Sequence, residues 1–376
     1  MAHRLSCPRG PSTAPTKGLF PAVGGLVVGL ITLAVWMAPA TAADPSLAGD
    51  TTQVAASSPD RMATPPVGRL RDELWVVSCR GAASARPDGD LDQLSYSVHQ
   101  PATGWTGASK EAFCAASPAT TTCLLILGNG YSASETRTLG QTAYRRLTAG
   151  LAPDVAVRFV VWSWPSDATD AGPIKDLRIK ASRTPGVAYS LARWLDEVPS
   201  PGRMSLLGTS FGARIVMEAL ELRASGQVGG RRLAVSSAPA RPKLNVVLIS
   251  AAIDNDWLLP GRRLGHALSQ TDRLLLLNNS SDSTLKRYHW LYGPRSKTAA
   301  LGTTGLRTST IAAGEISQID AAPIIGRHHG CAPYFESPRL VAAMRACLFT
   351  DDTASPQTPK DGIAIPVAAL PDRARQ

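Results

Sequence analysis

The stretch Gly208-Thr209-Ser210-Phe211-Gly212 decides how this chain folds. It joins an apolar run at 204–207 to a helix-like run at 213–223. In that setting a Gly-x-Ser-x-Gly sequence predicts a sharp turn from a strand into a helix, because a side chain at either glycine would clash. The turn holds the serine hydroxyl beyond the strand end, with the helix N-terminus behind it. The pattern also arises by chance in glycine-rich chains, so its neighbours must supply further support.

Strand-like and helix-like segments alternate along most of the chain. Continuous apolar runs predict strands, and longer amphipathic runs predict helices. Because the strands are apolar throughout, the alternation is typical of an α/β fold, a mainly parallel sheet with helices on both faces. The predicted strands are 74–78, 94–98, 123–127, 155–162, 204–207, 244–250 and 273–277, and the main predicted helices are 134–151, a segment ending near 198, 213–223 and 338–349.

The first 42 residues have the composition of a targeting segment. Basic residues up to Lys17 precede an almost wholly apolar run at 19–40, and Ala40-Thr41-Ala42 offers a small-residue cleavage site. We expect a cleaved signal peptide; the alternative is an uncleaved N-terminal anchor, since the run is long enough to cross a bilayer. Both predict an exported protein, either periplasmic, secreted or attached to the membrane of the cell envelope through residues 19–40.

Composition divides the remaining chain into three parts. Residues 43–70 are rich in Ala, Ser, Pro, Thr and Asp, which predicts a flexible linker. Residues 71–350 contain the alternating segments and form the predicted folded domain. Residues 351–376 are rich in Pro, Ala and charged residues, which predicts a disordered tail.

The charge and the cysteines exclude some classes of function. The formal net charge is +10, but the basic residues are scattered without interleaved aromatic residues, so a solvated basic surface is favoured and nucleic-acid binding is disfavoured. No Cys-x-x-Cys pairing indicates zinc. An exported chain can form disulfides, and Cys331 and Cys347 could pair. The cysteines after the targeting segment are Cys79, Cys114, Cys123, Cys331 and Cys347.

A nucleophilic serine needs a base, an orienting carboxylate and donors for an oxyanion. The pair His328-His329 lies in a glycine-containing loop before the last helix, where the order serine, acid, histidine places the base. Adjacent histidines cannot both face the serine; we choose His329 and keep His328 as the alternative. Asp282 follows the last predicted strand and is the predicted acid. Asp254 and Asp256, after the preceding strand, are the alternatives.

Two backbone N–H groups are predicted oxyanion donors. One belongs to Phe211, directly after the serine, and the other to Tyr131 in the loop Gly128-Asn129-Gly130-Tyr131-Ser132. The spacing Gly128-x-Gly130-x-x-Ala133 also fits a loose dinucleotide-binding fingerprint. That interpretation requires an acidic residue at the end of the next strand. We disfavour it, because the stretch 161–165 contains none.

Five short strings occur in the order found in a known family. They are Asn129-Gly130-Tyr131, Trp164-Pro165-Ser166, the serine turn, the stretch 281–285 around Asp282, and His329 with Tyr334-Phe335. From about residue 74 to residue 349 the chain therefore resembles a bacterial family of α/β hydrolases, mostly of undefined function. The resemblance implies an α/β-hydrolase fold for residues 71–350. Trp164 ends a strand at the same sheet edge and is expected to line the site, with a core tryptophan as the alternative. Asn129, the other expected site-lining residue, replaces the family's usual histidine.

The residues and the resemblance together predict a serine hydrolase, with a carboxylesterase-like activity on a small-molecule acyl or ester substrate. Ser210 attacks the acyl carbonyl, the histidine transfers protons, and water hydrolyses the acyl-enzyme. This chemistry requires no metal ion and no organic cofactor. Two alternatives stay open: a non-catalytic binding protein of the cell envelope on the same fold, and an acyltransferase.

Overall fold

The computed structural model describes residues 69, 71–81, 91–115, 121–198, 202–225, 227–233, 242–293, 295–306 and 315–349. The predicted targeting segment 1–42, almost all of the predicted linker 43–70 and the predicted tail 351–376 lie outside the described residues. Within the described ranges, no helix has both the length and the hydrophobicity needed to cross a bilayer.

Nine strands and a set of helices follow one another along the described chain. The strands are β1 (Glu73–Ser78), β2 (Ser95–Gln100), β3 (Gly104–Ala108), β4 (Thr121–Ile126), β5 (Val157–Ser163), β6 (Met204–Thr209), β7 (Leu244–Ile249), β8 (Thr271–Asn278) and β9 (Glu315–Asp320). The helices are α1 (Lys110–Cys114), α2 (Ala133–Thr148), α3 (Pro173–Glu197), α4 (Phe211–Ser225), α5 (Leu301–Thr304), α6 (Ala322–Ile325), α7 (Ala332–Glu336) and α8 (Pro338–Phe349). Three 3₁₀ helices cover Leu91–Gln93, Ala267–Gln270 and Leu285–Leu291.

The strands form one mixed sheet in the order β3-β2-β1-β5-β4-β6-β7-β8-β9. Strand β1 and strands β4 to β9 pair with one another in parallel, whereas β2 is antiparallel to both β1 and β3. This is an α/β-hydrolase fold, so the predicted fold class is confirmed. Because the carboxyl ends of parallel strands meet at one edge, the loops after β4, β6, β8 and β9 converge there.

The sheet separates two hydrophobic cores. Alternate residues of one strand enter opposite cores: Leu206 packs with α3 and α4 on one face, and Leu207 packs with α2 and α8 on the other. Strands β6 and β7 are buried along their whole length, which explains their continuous apolar sequences. Each fully buried leucine contributes about 1.5–3 kcal/mol to folding, so the sheet provides a rigid base for the converging loops.

The sequence did not predict the two outermost strands. Strand β3 contains two glycines in the sequence GWTGA, and β9 has the largely polar sequence EISQID. Edge strands face water along one side, so they lack the continuous apolar run that marks a central strand.

Cys331 and Cys347, which the sequence allowed to pair, are not joined in this structure. All five cysteines within the described ranges are free thiols. The Cys331 sulfur lies 3.6 Å from the Tyr131 hydroxyl, whereas the Cys347 thiol donates to the Val246 carbonyl oxygen. The two sulfurs therefore contact different elements of the fold.

Candidate active site

Ser210 sits in a strained turn between β6 and α4, with φ of 52°. A Cβ on Gly208 would lie 2.6 Å from the Ala213 Cα, and one on Gly212 would lie 2.0 Å from the Ile126 carbonyl oxygen. Only glycine fits at either position, because real Cβ atoms do not approach backbone so closely. A positive φ at a residue other than glycine costs about 1–3 kcal/mol and is retained where the surrounding structure enforces it. The Ser210 hydroxyl is therefore held in one place beyond the end of β6.

A chain of hydrogen bonds connects this serine to His329 and Asp282. The Nε2 atom of His329 lies 2.9 Å from the Ser210 Oγ, and its Nδ1 atom lies 2.7 Å from the Asp282 Oδ2. An ionised carboxylate only accepts hydrogen bonds, so Nδ1 carries the proton and Nε2 accepts from the serine hydroxyl. The arrangement can remove the hydroxyl proton as Ser210 attacks an electrophile.

Asp282 is completely buried, and the backbone of the next turn holds its carboxylate. The Oδ1 atom accepts hydrogen bonds from the N–H groups of Thr284 and Leu285, each at 2.9 Å. The Oδ2 atom is left for His329, whose side chain is 23% exposed. The His329 imidazole therefore reaches solvent while the Asp282 carboxylate does not, and the hydrogen bond between them orients the ring.

Two polar side chains that the sequence analysis missed join the acid loop to the histidine loop. The buried Asn279 donates from Nδ2 to the His328 carbonyl oxygen at 3.0 Å and accepts from the Ser281 N–H at 3.0 Å. Ser283 donates to the Arg327 carbonyl oxygen from its hydroxyl at 3.0 Å. Because these contacts flank Asp282 and His329, they fix the separation of the two side chains. The only sequence signal was an asparagine at the end of a strand.

The alternative acids and the alternative base lie in other surroundings. Asp254 accepts hydrogen bonds from the hydroxyls of Tyr288 at 2.7 Å and Tyr292 at 2.6 Å, while Asp256 pairs with Arg262 at 3.6 Å. Burial, with Asp254 beside it, raises the pKa of Tyr292 to about 12. The structure does not bring either carboxylate to the imidazole of His329.

His328 is exposed, and the contact it makes with the acid loop comes from its backbone carbonyl. Its neighbour His329 is the one whose ring reaches Ser210. The structure therefore separates the two histidines that the sequence could not distinguish.

The loop after β4 lies directly against Ser210. The Gly128 N–H donates to the Thr209 hydroxyl at 3.0 Å, and a Cβ on Gly128 would lie 2.8 Å from the Ser210 Cβ. Neither the Tyr131 N–H nor the Phe211 N–H donates a hydrogen bond to any of the residues that the structure describes. The predicted role of these two N–H groups as oxyanion donors stays a prediction.

Arg80 and Ser166 hold this loop through the carbonyl oxygen of Tyr131. Arg80 donates from Nη2 at 2.9 Å and Ser166 from its hydroxyl at 2.9 Å, while the Gly130 N–H donates to the Ser166 carbonyl oxygen at 2.8 Å. Arg80 also donates from Nε to Ser163 at 2.8 Å and forms an ion pair with Asp167. Arg80 is not recognisable as a loop contact from the sequence, because it follows β1 and is distant from the loop along the chain.

The side chain of Tyr131 points toward the histidine loop. Its hydroxyl lies 3.6 Å from the Cys331 sulfur, two residues after His329. Burial raises the pKa of the Tyr131 hydroxyl, and burial likewise raises the pKa of the Cys331 thiol to about 11. Both groups are therefore neutral at physiological pH and serve packing between the two loops.

Asn129 anchors the same loop to α3. Its Nδ2 donates to the Asp176 Oδ2 at 3.2 Å, and the Asp176 Oδ1 accepts from the buried Lys180 Nζ at 2.7 Å. Burial alone would raise the pKa of Asp176, but the hydrogen bonds from Lys180, Thr169 and Asn129 outweigh it, so the pKa is lowered. This carboxylate is charged at neutral pH and neutralises Lys180.

The expectation that Trp164 lines the site needs correction. Its side chain is 1% exposed and belongs to the core that packs against α3 and α4. The indole Nε1 donates to the Leu127 carbonyl oxygen at 2.8 Å. A buried indole N–H requires an acceptor, and here that acceptor is the backbone at the start of the loop after β4. Trp164 thus holds this loop from within the core.

Within the described ranges, no group of three or more His, Cys, Asp or Glu side chains is arranged to hold a metal ion.

No protein-family model matches the chain, and no curated protein matches its sequence. The chain is weakly similar to at least four solved chains, which include a thioesterase, an esterase and a lipase-esterase related protein. Acyl-protein thioesterase 2 from Zea mays has 16% identity and a TM-score of 0.33, with 61% of this chain and 94% of that chain covered. Esterase B from Lactobacillus rhamnosis, inhibited by a tributyrin phosphonate, has 15% identity and a TM-score of 0.34, with 73% and 84% covered.

The third structure is a lipase-esterase related protein from Clostridium acetobutylicum. It has 12% identity and a TM-score of 0.29, with 61% of this chain and 95% of that chain covered. The strand order of this chain and its serine turn show the fold independently of these weak similarities.

Proposed function

We propose that this protein is an exported serine hydrolase that cleaves small acyl esters. The observation that carries the proposal is the hydrogen-bonded chain Ser210–His329–Asp282 at a strained turn. A protein that only binds its ligand would not need this arrangement. The strained serine backbone lowers the stability of the fold and adds no contact area to a ligand.

The reaction begins with acylation of Ser210. As its Oγ attacks the ester carbonyl, His329 Nε2 accepts the hydroxyl proton, and the buried Asp282 stabilises the resulting imidazolium. The N–H groups of Tyr131 and Phe211 bind the oxyanion of the tetrahedral intermediate. Collapse expels the alcohol, which takes the proton from His329.

Deacylation repeats the steps with water as the nucleophile. His329 removes a proton from the water molecule as it attacks the acyl-enzyme, and Ser210 regains its hydroxyl proton when the acid product leaves. An acyltransferase would share the first half-reaction and differ only in the acceptor. The partner we propose is therefore a small acyl or ester substrate, with no nucleic acid and no cofactor.

The decisive experiment is labelling of the full chain with a fluorophosphonate probe, followed by mass spectrometric mapping. We expect one adduct on Ser210, which disappears in Ser210→Ala. A folded protein that gives no adduct, or an adduct that persists in the variant, would contradict the proposal.

The chain offers matched controls for the other two residues. His329→Ala should abolish labelling and the hydrolysis of short-chain nitrophenyl esters, whereas His328→Ala should leave both within about twofold. Asp282→Asn should lower kcat by roughly 10⁴-fold, because an amide favours the wrong imidazole tautomer. Asp256→Asn should have no such effect. Equal losses in the members of either pair would contradict the assigned roles.

Export is a separate part of the proposal and rests on residues 1–42. We expect the protein outside the cytoplasm. N-terminal sequencing of the recovered chain should show a start near residue 43 after cleavage, or an intact N-terminus in the membrane fraction if the segment is an anchor. Recovery of the intact chain from the cytoplasm would contradict export.

A further inference from the structure

The large apolar side chains that remain exposed all lie at the carboxyl edge of the sheet. Among the described residues these are Ile174, Trp290, Tyr292 and Ile324, which are 40%, 39%, 47% and 42% exposed. Ile174 begins α3 after β5, the two aromatic residues follow β8, and Ile324 follows β9. Each segment starts at the edge where Ser210 lies, and the opposite edge has no counterpart within the described ranges.

Hydrogen bonds join these segments into one surface. Arg178, one turn after Ile174, donates to the carbonyl oxygens of Trp290 at 3.0 Å and Leu291 at 3.2 Å. Ser283, which precedes the 3₁₀ helix Leu285–Leu291, donates to the Arg327 carbonyl oxygen at 3.0 Å. These bonds link the three segments at the edge of the sheet where His329 lies, with α3 and the 3₁₀ helix packed on one core and α6 on the other. The exposed residues of the three segments border a surface around that edge. We call this surface the docking face.

The charged side chains of the docking face are mostly positive. Three exposed acids, Asp167, Asp170 and Asp320, lie on the same segments. Asp167 forms an ion pair with Arg80, and Asp320 accepts hydrogen bonds from the Ser280 hydroxyl and the Ala322 N–H. The Arg287 guanidinium lies 5.8 Å from the centre of the Trp290 ring. The exposed cations are Lys175, Arg178, Lys286, Arg287 and Arg327.

We propose that the docking face binds the surface of an anionic lipid bilayer. Tryptophan and tyrosine favour the boundary between headgroups and acyl chains, because one end of each ring is apolar and the other is polar. Tyr292 fits this position, since its hydroxyl is bound to Asp254 while its ring is exposed. The surrounding cations match the negative potential of anionic headgroups.

Docking in this orientation turns the Ser210 site toward the lipid surface. Amphiphilic esters would then reach the serine from the interface and not only from bulk water. The use of amphiphilic esters as substrates rests on the proposed function, whereas binding of the docking face to a bilayer does not. An experiment can therefore disprove either claim without disproving the other.

The test uses the full chain carrying Ser210→Ala, which binds without hydrolysing lipid. Hydroxyl-radical footprinting is performed with vesicles of phosphatidylcholine alone and with an equimolar mixture of phosphatidylcholine and phosphatidylglycerol. We expect the mixed vesicles to slow the oxidation of Trp290, Tyr292 and Ile324 severalfold, and phosphatidylcholine alone to have little effect. Tyr144, on α2, serves as an internal reference whose oxidation should not change. Side-chain oxidation reports this face alone, so attachment through residues 19–40 does not imitate the result.

A matched pair of variants tests the electrostatic part. Lys286→Gln with Arg287→Gln should raise the lipid concentration for half-maximal protection by roughly 10- to 30-fold, since each cation contributes near an anionic surface. The control variant is Arg145→Gln with Arg146→Gln, an exposed basic pair in the last turn of α2. It should leave the lipid concentration for half-maximal protection unchanged. Equal protection by both kinds of vesicle, or equal effects of both variants, would overturn the proposal. Protection that appears without vesicles at high protein concentration would also overturn it and assign the face to a second copy of the chain.

Discussion

Arg80 donates a hydrogen bond from Nη2 to the carbonyl oxygen of Tyr131 at 2.9 Å, which joins the end of β1 to the loop beside Ser210. The same guanidinium also binds Ser163, Asp167 and Thr136. Its planar fork of donors holds several acceptors at fixed angles, which an ammonium group cannot do. We infer that Arg80 positions the proposed oxyanion donor of Tyr131 without touching the substrate.

Replacing Arg80 tests this positioning role. Arg80→Lys should lower kcat by roughly 10- to 100-fold, because a displaced oxyanion donor loses part of the 10²–10³-fold that such a donor supplies. KM should change little, and Ser210 should still react with the probe, more slowly. Steady-state kinetics with a nitrophenyl ester measure kcat and KM separately. The control is Arg71→Lys, an exposed arginine at the other end of β1, and an equal loss in the control would contradict the role.

Gly128 provides a steric test of the same loop. In Gly128→Ala the new methyl group would meet the Ser210 Cβ at 2.8 Å, so either the loop or the serine turn must move. We expect esterase activity to fall by at least tenfold, with a loss of about 1–3 kcal/mol in the free energy of unfolding. Gly107→Ala is the control, because a Cβ there has open space. Urea unfolding and ester hydrolysis are measured side by side, and full activity in Gly128→Ala would show that the loop does not adjoin the serine.

Asp176 predicts how stability depends on pH. Its folded pKa lies below the ordinary value, so the charged carboxylate stabilises the fold above about pH 4, and that stability is lost as the pH falls through the folded pKa. Asp176→Asn leaves the Lys180 ammonium buried without its partner and should cost about 3–5 kcal/mol at neutral pH. The gap between the variant and the unmodified protein should narrow as the pH falls below 4.

Urea unfolding at a series of pH values measures this gap. The exposed Asp170 serves as the control position, where Asp170→Asn should change the unfolding free energy by less than about 0.5 kcal/mol. A gap between Asp176→Asn and the unmodified protein that stays constant with pH would show that this carboxylate does not carry the effect.

The cysteines predict a pattern of thiol reactivity. Burial raises the pKa of Cys79 to about 12 and that of Cys331 to about 11, and it also raises the pKa of Cys123. Because the thiolate is the reactive form, these thiols should resist iodoacetamide at neutral pH while the protein is folded. Cys114 is half-buried and should be modified first among the cysteines of the described ranges.

Mass spectrometry of peptides resolves the cysteines individually and separates Cys7, which lies outside the described residues. Adding denaturant should make all of them react at similar rates. Rapid modification of Cys331 in the folded protein would contradict the packing between the Tyr131 loop and the histidine loop.

Local and positional signals carried the sequence-based predictions. The central strands were recognisable because both faces are buried, which leaves a continuous apolar sequence in β6 and β7. The order serine, acid, histidine along the chain predicted Asp282 and His329. In the structure His329 lies within hydrogen-bonding distance of both Asp282 and Ser210. Their catalytic roles stay predictions until the variants are measured.

Contacts between distant parts of the chain were beyond the sequence. Arg80 meets the Tyr131 carbonyl 51 residues away, and Asn279 meets the His328 carbonyl 49 residues away. In both bonds a side chain donates to a backbone carbonyl oxygen. Every residue type has such a carbonyl, so the sequence does not indicate which residue accepts the bond. Trp164 shows the related difficulty: its position at the end of β5 was clear, but whether it faces the site or the core depends on packing.

In an oxidising medium, the buried thiols would connect the lifetime of this protein to its unfolding. While the chain is folded, Cys79, Cys123, Cys331 and Cys347 lie within the protein, so oxidants do not reach them. Each complete unfolding event exposes all four, and wrong pairings formed then would trap the chain. Its working lifetime is therefore set by how often it unfolds, a rate, and not by the equilibrium balance between folded and unfolded forms.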